Sequence, residues 1–243
     1  MLSEKSEIIA QLKKDMLLLQ GCRPPSAATV NVNLGAVNGA FPNAVFPTGA
    51  IHEFQSNAIE STAATGGFIA GLLSTLMQQG GVCVWISTAR TLFPPALKYF
   101  GIEPDQVLFV DLQRKKEVLW TMEEALKCEG ISAVIGELND IDFTTSRRLQ
   151  LAVEKSRVTG FIIRQHPRDN NAIAAAARWK ISPLPSQLNN GMPGIGAPRW
   201  TVALTKVRNG QPGSWQLEWL DGRFNTITAE VVLQPLIAER KIG

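Results

Sequence analysis

The sequence predicts an α/β protein whose mostly parallel sheet is extended by an antiparallel C-terminal hairpin, and three observations carry that expectation. From Ala50 onward, short β-like runs alternate with helical patterns, the texture of a doubly wound sheet. The runs Val82-Cys83-Val84-Trp85-Ile86 and Gly160-Phe161-Ile162-Ile163 are nearly continuous in apolar residues, as strands buried on both faces must be. Further on, Trp215, Leu217 and Trp219 alternate with Gln216 and Glu218, which marks a half-buried antiparallel strand.

Taken in order, Ser3–Leu19 reads as an amphipathic helix. Ile8, Ile9, Leu12 and Met16 recur at helical spacing, with Lys13, Lys14 and Asp15 on other faces, and Gly21 and Pro24-Pro25 stop it. Cys22 to Gly49 is rich in Pro, Gly, Ala and Asn without periodicity and reads as an irregular connector. The expected layout is therefore an N-terminal helix over 1–20, a linker over 21–49, a core over 50–225 and a tail over 226–243 that holds an apolar patch at Val231–Ile237. Within the core, strands are expected at Ile51–Phe54, Val82–Ser87, Val107–Asp111, Ala133–Glu137 and Thr159–Arg164. Helices are expected at about Thr65–Gln79, Pro94–Phe100, Lys115–Cys128 and Phe143–Lys155. Trp200–Arg208 and Ser214–Leu220, separated by Asn209-Gly210 and Pro212-Gly213, form the hairpin, and Pro183–Pro198 reads as a loop.

Composition excludes several function classes. The 243 residues are 45% hydrophobic and 19% charged, a globular profile of one large domain with a small appendage. A net charge of +3 is too mild to announce a committed nucleic-acid binder. Two histidines and three scattered cysteines give no CxxC and no His/Cys cluster, so no structural metal is expected. Isolated cysteines without a signal peptide point to reduced thiols and a cytoplasmic protein. The longest apolar run, around Phe68–Met77, is too short to span a bilayer, and no membrane partner is expected.

The first strand of such a fold is where nucleotide chemistry would sit. A Gly-rich loop should follow it, with backbone N–H groups cradling phosphate, a lysine on the β/γ-phosphates and a hydroxyl on Mg²⁺. Here the strand Ile51–Phe54 runs into a loop at about Gln55–Ala64 that contains no lysine and matches no GxxxxGK[ST] register.

The same region carries a resemblance. Phe46-Pro47-Thr48-Gly49-Ala50-Ile51-His52-Glu53-Phe54 is similar to the opening of the RecA ATPase core, and Gly80–Ile86 and Leu92–Val110 look like its next strand, helix and strand. More specifically the chain resembles the ImuA family, the RecA-like and SulA-like proteins of bacterial SOS mutagenesis cassettes. Carrying this are Val84-Trp85-Ile86, Leu92–Leu97, Leu119–Leu126, Val134–Leu138, Ser146–Ala152, Arg199-Trp200 and Arg208–Trp215, which together span most of residues 40–220. The resemblance implies a RecA-like P-loop NTPase core with a degenerate Walker A motif. In the ungapped register the motif falls on Ile59, Ala64, Thr65 and Gly66, so Thr65 replaces the lysine and Gly66 the Mg²⁺-binding hydroxyl. Ala89 replaces the water-activating carboxylate, and Glu137 or Leu138 stands at the Walker B-like acidic position. Phosphoryl transfer depends on positioning and charge neutralisation, so no ATP hydrolysis, no bound ATP cofactor and no catalytic residues are expected.

The resemblance also implies a function. It points to a non-catalytic accessory protein of SOS-induced translesion DNA synthesis, which docks to an ImuB-type Y-family polymerase homologue and/or RecA in a complex with an error-prone C-family DNA polymerase. Two alternatives stand beside it: a RecA-like ATPase with a non-standard nucleotide site, and a SulA-like cell-division inhibitor. Candidate partner or DNA contacts are Ile8, Ile9, Leu12 and Met16 on the first helix and Arg147, Arg148, Arg164, Arg168 and Arg178 on the later connections, where basic residues would give weak DNA binding through phosphate. The bland reading of those arginines is a solvated helix face and strand ends. The tryptophans, Trp120 included, read as core anchors rather than base-stacking platforms.

Overall fold

The chain's structure, a computed structural model, describes residues 30, 32–78, 80–167, 173–186 and 196–227. Among these residues nine strands form one sheet. They are β1 (Ile51–Ser56), β2 (Val82–Ser87), β3 (Val107–Asp111), β4 (Ile131–Glu137), β5 (Thr159–Gln165), β6 (Ala177–Leu184), β7 (Arg199–Val207), β8 (Gly213–Leu220) and β9 (Arg223–Thr226). Their order is β3-β2-β4-β5-β1-β6-β7-β8-β9. The strands from β3 across to β6 are all parallel, and β6 through β9 pair antiparallel. This is a RecA-like α/β arrangement. β1 sits at its centre, and all six of its residues are buried.

Among the described residues three α-helices, α1 (Ile59–Leu76), α2 (Lys115–Leu126) and α3 (Phe143–Ser156), link β1 to β2, β3 to β4 and β4 to β5. Each exposes one side and buries another, so the sheet carries a core on each face. On one face α1 packs Phe68, Ile69, Leu72 and Leu73 against Phe54, Phe161, Trp179 and Trp200. On the other, α2 and α3 pack Val118, Met122, Leu126, Leu149 and Val153 against Ile51, Val134 and Ile162. The first face is dominated by aromatic contacts. Trp179 stacks on Phe54 with centroids 5.8 Å apart and an interplanar angle of 6°, and it also meets Phe41, Phe46 and Phe68.

Several elements depart from the sequence expectation. The stretch read as a connector is irregular in backbone but belongs to the core from Val32 on. It forms 3₁₀ turns at Gly35–Ala40 and Pro42–Ala44 and buries Val32, Leu34, Val37, Phe41 and Phe46. Such short tight turns leave neither a 3.6- nor a 2-residue period to read. Pro94–Phe100 is likewise 3₁₀ rather than α-helical, opened by Pro94-Pro95 and closed by Gly101 at φ 76°. β6 was unforeseen: Arg178, Lys180 and Ser182 face away from the aromatic core and Pro183 interrupts the run, so only Ala177, Trp179 and Ile181 are buried. The expected hairpin β7–β8 is present, flanked by β6 and β9. Trp120 is not a core residue: it is 66% exposed on α2, whereas Trp179, Trp200 and Trp219 are buried. The helix Ser3–Leu19, Arg168 and the tail beyond Ile227 lie outside the described residues.

Candidate functional site

The carboxyl end of β1 is where a phosphate loop would stand, and the chain builds something else there. β1 ends at Ser56 and α1 begins at Ile59, with only Asn57 and Ala58 between them. The expected loop over Gln55–Ala64 is thus corrected to a two-residue turn, and the helix starts six residues earlier than Thr65. No glycine breaks Glu60–Thr65, and its alanines and glutamate favour helix. Ile59, Ala64, Thr65 and Gly66 all lie inside α1. Thr65 is fully buried and its hydroxyl donates to the Ser61 carbonyl at 2.7 Å. Ser56 Oγ and Thr62 Oγ1 meet at 2.9 Å, and Thr62 donates to the Ala58 carbonyl at 3.1 Å. The Thr62 and Thr65 hydroxyls are turned onto their own backbone. Ile59 is 82% exposed, and Glu60 puts a negative charge in the first turn of α1, where a phosphate would need the opposite.

Two strands away in the sheet, Glu137 closes β4. Its Oε1 accepts from Trp85 Nε1 at 3.1 Å and from Thr91 Oγ1 at 3.5 Å. Burial pushes its carboxyl pKa up, against the lowering effect of those two donors. Of the two residues at the Walker B-like position, Glu137 is the one at the strand end, while the Leu138 side chain joins the core under α2 and α3. Ala89 lies on an exposed loop whose next residue, Arg90 at φ 48°, pairs with Asp111 at 2.7 Å. Among the described residues no group of three or more His, Cys, Asp and Glu side chains is placed to hold a metal ion.

The polar residues of β1 itself are locked into the fold. Glu53 is fully buried. Its Oε1 takes Arg164 Nη1 at 2.8 Å and Gln55 Nε2 at 2.9 Å, and its Oε2 pairs with Arg178 Nε. Arg164 Nε also donates to the Asn139 carbonyl at 3.1 Å. One carboxylate thereby ties together β5, β1 and β6 and the turn after β4. Charge-assisted bonds of this kind are strong, and the desolvation cost makes the loss of any member severe. Sequence reading missed the triad because its members are 111 and 125 residues apart. The signal available was a glutamate and an arginine inside runs that otherwise read as buried strands.

This geometry corrects the reading of Arg164 and Arg178 as connection residues facing phosphate. β5 extends to Gln165 and β6 starts at Ala177, so both arginines are on strands, with side chains 1% and 12% exposed and turned onto Glu53. Arg147 and Arg148 are on the outward side of α3. Arg147 reaches Glu154 at 3.7 Å, and Arg148 bridges to Glu123 on α2.

No protein-family model matches the chain. It is 33% identical over 195 residues to Protein ImuA of Caulobacter vibrioides strain NA1000 / CB15N, a match that covers 75% of this chain and 80% of that protein. The same figures hold for Protein ImuA of Caulobacter vibrioides strain ATCC 19089 / CIP 103742 / CB 15. With similarity of that extent over three quarters of its length, the chain belongs to the ImuA family.

Proposed function

We propose that this chain is a non-catalytic RecA-fold accessory protein of SOS-induced translesion DNA synthesis. It acts in the cytoplasm by docking to an ImuB-type polymerase homologue and/or RecA, in a complex with an error-prone C-family polymerase. Family membership supports the mutagenesis setting. The observation that carries the non-catalytic part is the two-residue passage from β1 to α1. A turn that short has no row of amides to wrap a phosphate, and the Thr65 hydroxyl is spent inside the helix. Among the described residues no helix is long and apolar enough to cross a membrane.

Thermal denaturation with Mg²⁺-ATP tests the nucleotide part. Ligand at a hundred times its Kd stabilises by about 2.7 kcal/mol. For a chain of this size that would raise Tm by roughly 5–10 °C. The expected result is no shift at millimolar ATP and no phosphate release; a shift of that size would favour an ATPase with a non-standard site. Purified ImuB-type protein and RecA, each titrated against the chain, test the docking part.

A further inference from the structure

The outward face of α2 and α3 is built unlike a plain solvated surface. The two helices run side by side on one face of the sheet, bridged by Arg148 and Glu123. On α2, Lys116 is followed four residues later by Trp120, which is 66% exposed. On α3, Phe143, Arg147, Leu151 and Lys155 follow one another at four-residue steps, with Phe143 57% and Leu151 51% exposed. Residues four apart share a helix face, so each line alternates an apolar side chain with a cation. Trp120 lies three residues before the bridging Glu123 and Leu151 three after the bridging Arg148, about 9 Å apart along parallel helices at 1.5 Å per residue. Scattered single apolar residues are ordinary on a surface, but an exposed tryptophan three residues from an arginine-bridged glutamate is the composition of a binding hot spot.

The charge says what the face would accept. Over 114–127 and 142–157 there are eight Lys and Arg against five Asp and Glu. The acids are used: Glu117 pairs with Arg114, Glu123 and Glu124 with Lys127, Glu154 with Arg147, and Asp142 caps α3. Among the described residues Lys115, Lys116 and Lys155 form no ion pair. The surplus is positive and interleaved with apolar anchors. We propose that this face docks an acidic amphipathic helix of a protein partner, with Trp120, Phe143 and Leu151 as anchors and Lys116 and Lys155 answering its carboxylates. Nucleic acid suits it less: Glu117, Glu123, Glu124 and Glu154 stand among the cations, and phosphate gains nothing from Phe143 and Leu151.

The inference rests on the docking reading above, naming its surface, and one titration series separates the two. The full-length chain is titrated with the ImuB-type protein of its own cassette, with RecA, and with a single-stranded oligonucleotide. Wild type is compared with Trp120→Ala, Leu151→Ala and Lys116→Glu. Each substitution is at an exposed position, so Tm should stay at the wild-type value; three variants keep the test open if one misfolds. Expected is binding to one of the two proteins, weakened at least tenfold by Trp120→Ala and Leu151→Ala. Lys116→Glu should also weaken it and reduce its salt dependence. If that protein binds all three variants within twofold of wild type, this surface is refuted and the docking reading survives. If neither protein binds wild type, both fall. If the oligonucleotide alone binds and the variants lose it, the occupant is nucleic acid and the protein-docking surface is refuted.

Discussion

His52 shows how the centre of this sheet tolerates polar residues. The imidazole is fully buried and stacked on Phe46, with centroids 4.4 Å apart. Trp179 Nε1–H can only donate, so Nδ1 accepts from it at 3.3 Å, and Nε2–H donates to the Pro47 carbonyl at 2.8 Å. Burial pulls the pKa of His52 down to about 4, only partly offset by the Pro47 bond. The unfolded chain, titrating near 6.5, therefore takes up a proton first as pH falls. Stability is full above about pH 6.5 and is lost between there and about pH 4, by on the order of 3 kcal/mol from this residue. Urea unfolding of wild type at pH 7.5 and pH 5 should show about 2 kcal/mol of that loss, and His52→Phe should flatten the slope whatever its own stability. Glu137 works in the opposite sense. Its pKa is raised by burial, so the fold favours its protonated form and its contribution declines as pH climbs above the ordinary carboxylate range. Glu137→Gln keeps an acceptor for Trp85 and removes that charge. Its Tm should exceed wild type at pH 7.5 and converge on it toward pH 4. For the triad, Glu53→Ala leaves two buried guanidiniums without their carboxylate and should cost about 3–5 kcal/mol in urea unfolding.

At the scale of elements, α1 is where sequence and structure part most sharply. A glycine in a helix interior ordinarily costs about 1 kcal/mol relative to alanine, and α1 carries Gly66, Gly67 and Gly71. Gly71 is under the antiparallel end of the sheet: a Cβ there would lie 2.5 Å from Phe224 Cζ and 3.1 Å from the Trp219 ring. At Gly66 a Cβ would meet only Leu92 Cδ1, at an ordinary 3.8 Å. Gly66→Ala should therefore stabilise by about 0.5–1 kcal/mol, while Gly71→Ala should destabilise by about 1–3 kcal/mol. Chemical denaturation of the pair reads the opposite signs directly. β2 and β3 match their expected bounds, and α2, α3, β4 and β5 fall within two residues of theirs, because their periodicity is local. β6 carries the same alternation as β8 but only three buried residues before Pro183 opens a stretch that reads as loop, and the start of α1 lies in residues that favour helix where a loop motif is expected.

For the whole molecule, the parallel half of the sheet and its antiparallel extension were legible, since apolar runs and alternation report burial on two faces or one. That Gln55–Ala64 holds no lysine is read directly from the sequence; that a two-residue turn rather than a loop follows β1 was not, because it depends on where a helix begins. The Glu53 triad and the exposure of Trp120 depend on contacts between distant segments, which no local pattern encodes. The resulting molecule closes the carboxyl end of its central strand and leaves apolar anchors among cations on its α2–α3 face. A protein built this way should bind its partners without nucleotide. Equilibrium binding of the full-length chain to the ImuB-type homologue and to RecA, each with and without Mg²⁺-ATP, tests this most directly. The prediction is a complex with at least one of them whose Kd is the same in both conditions; no complex with either, or one that forms only with ATP, would contradict it.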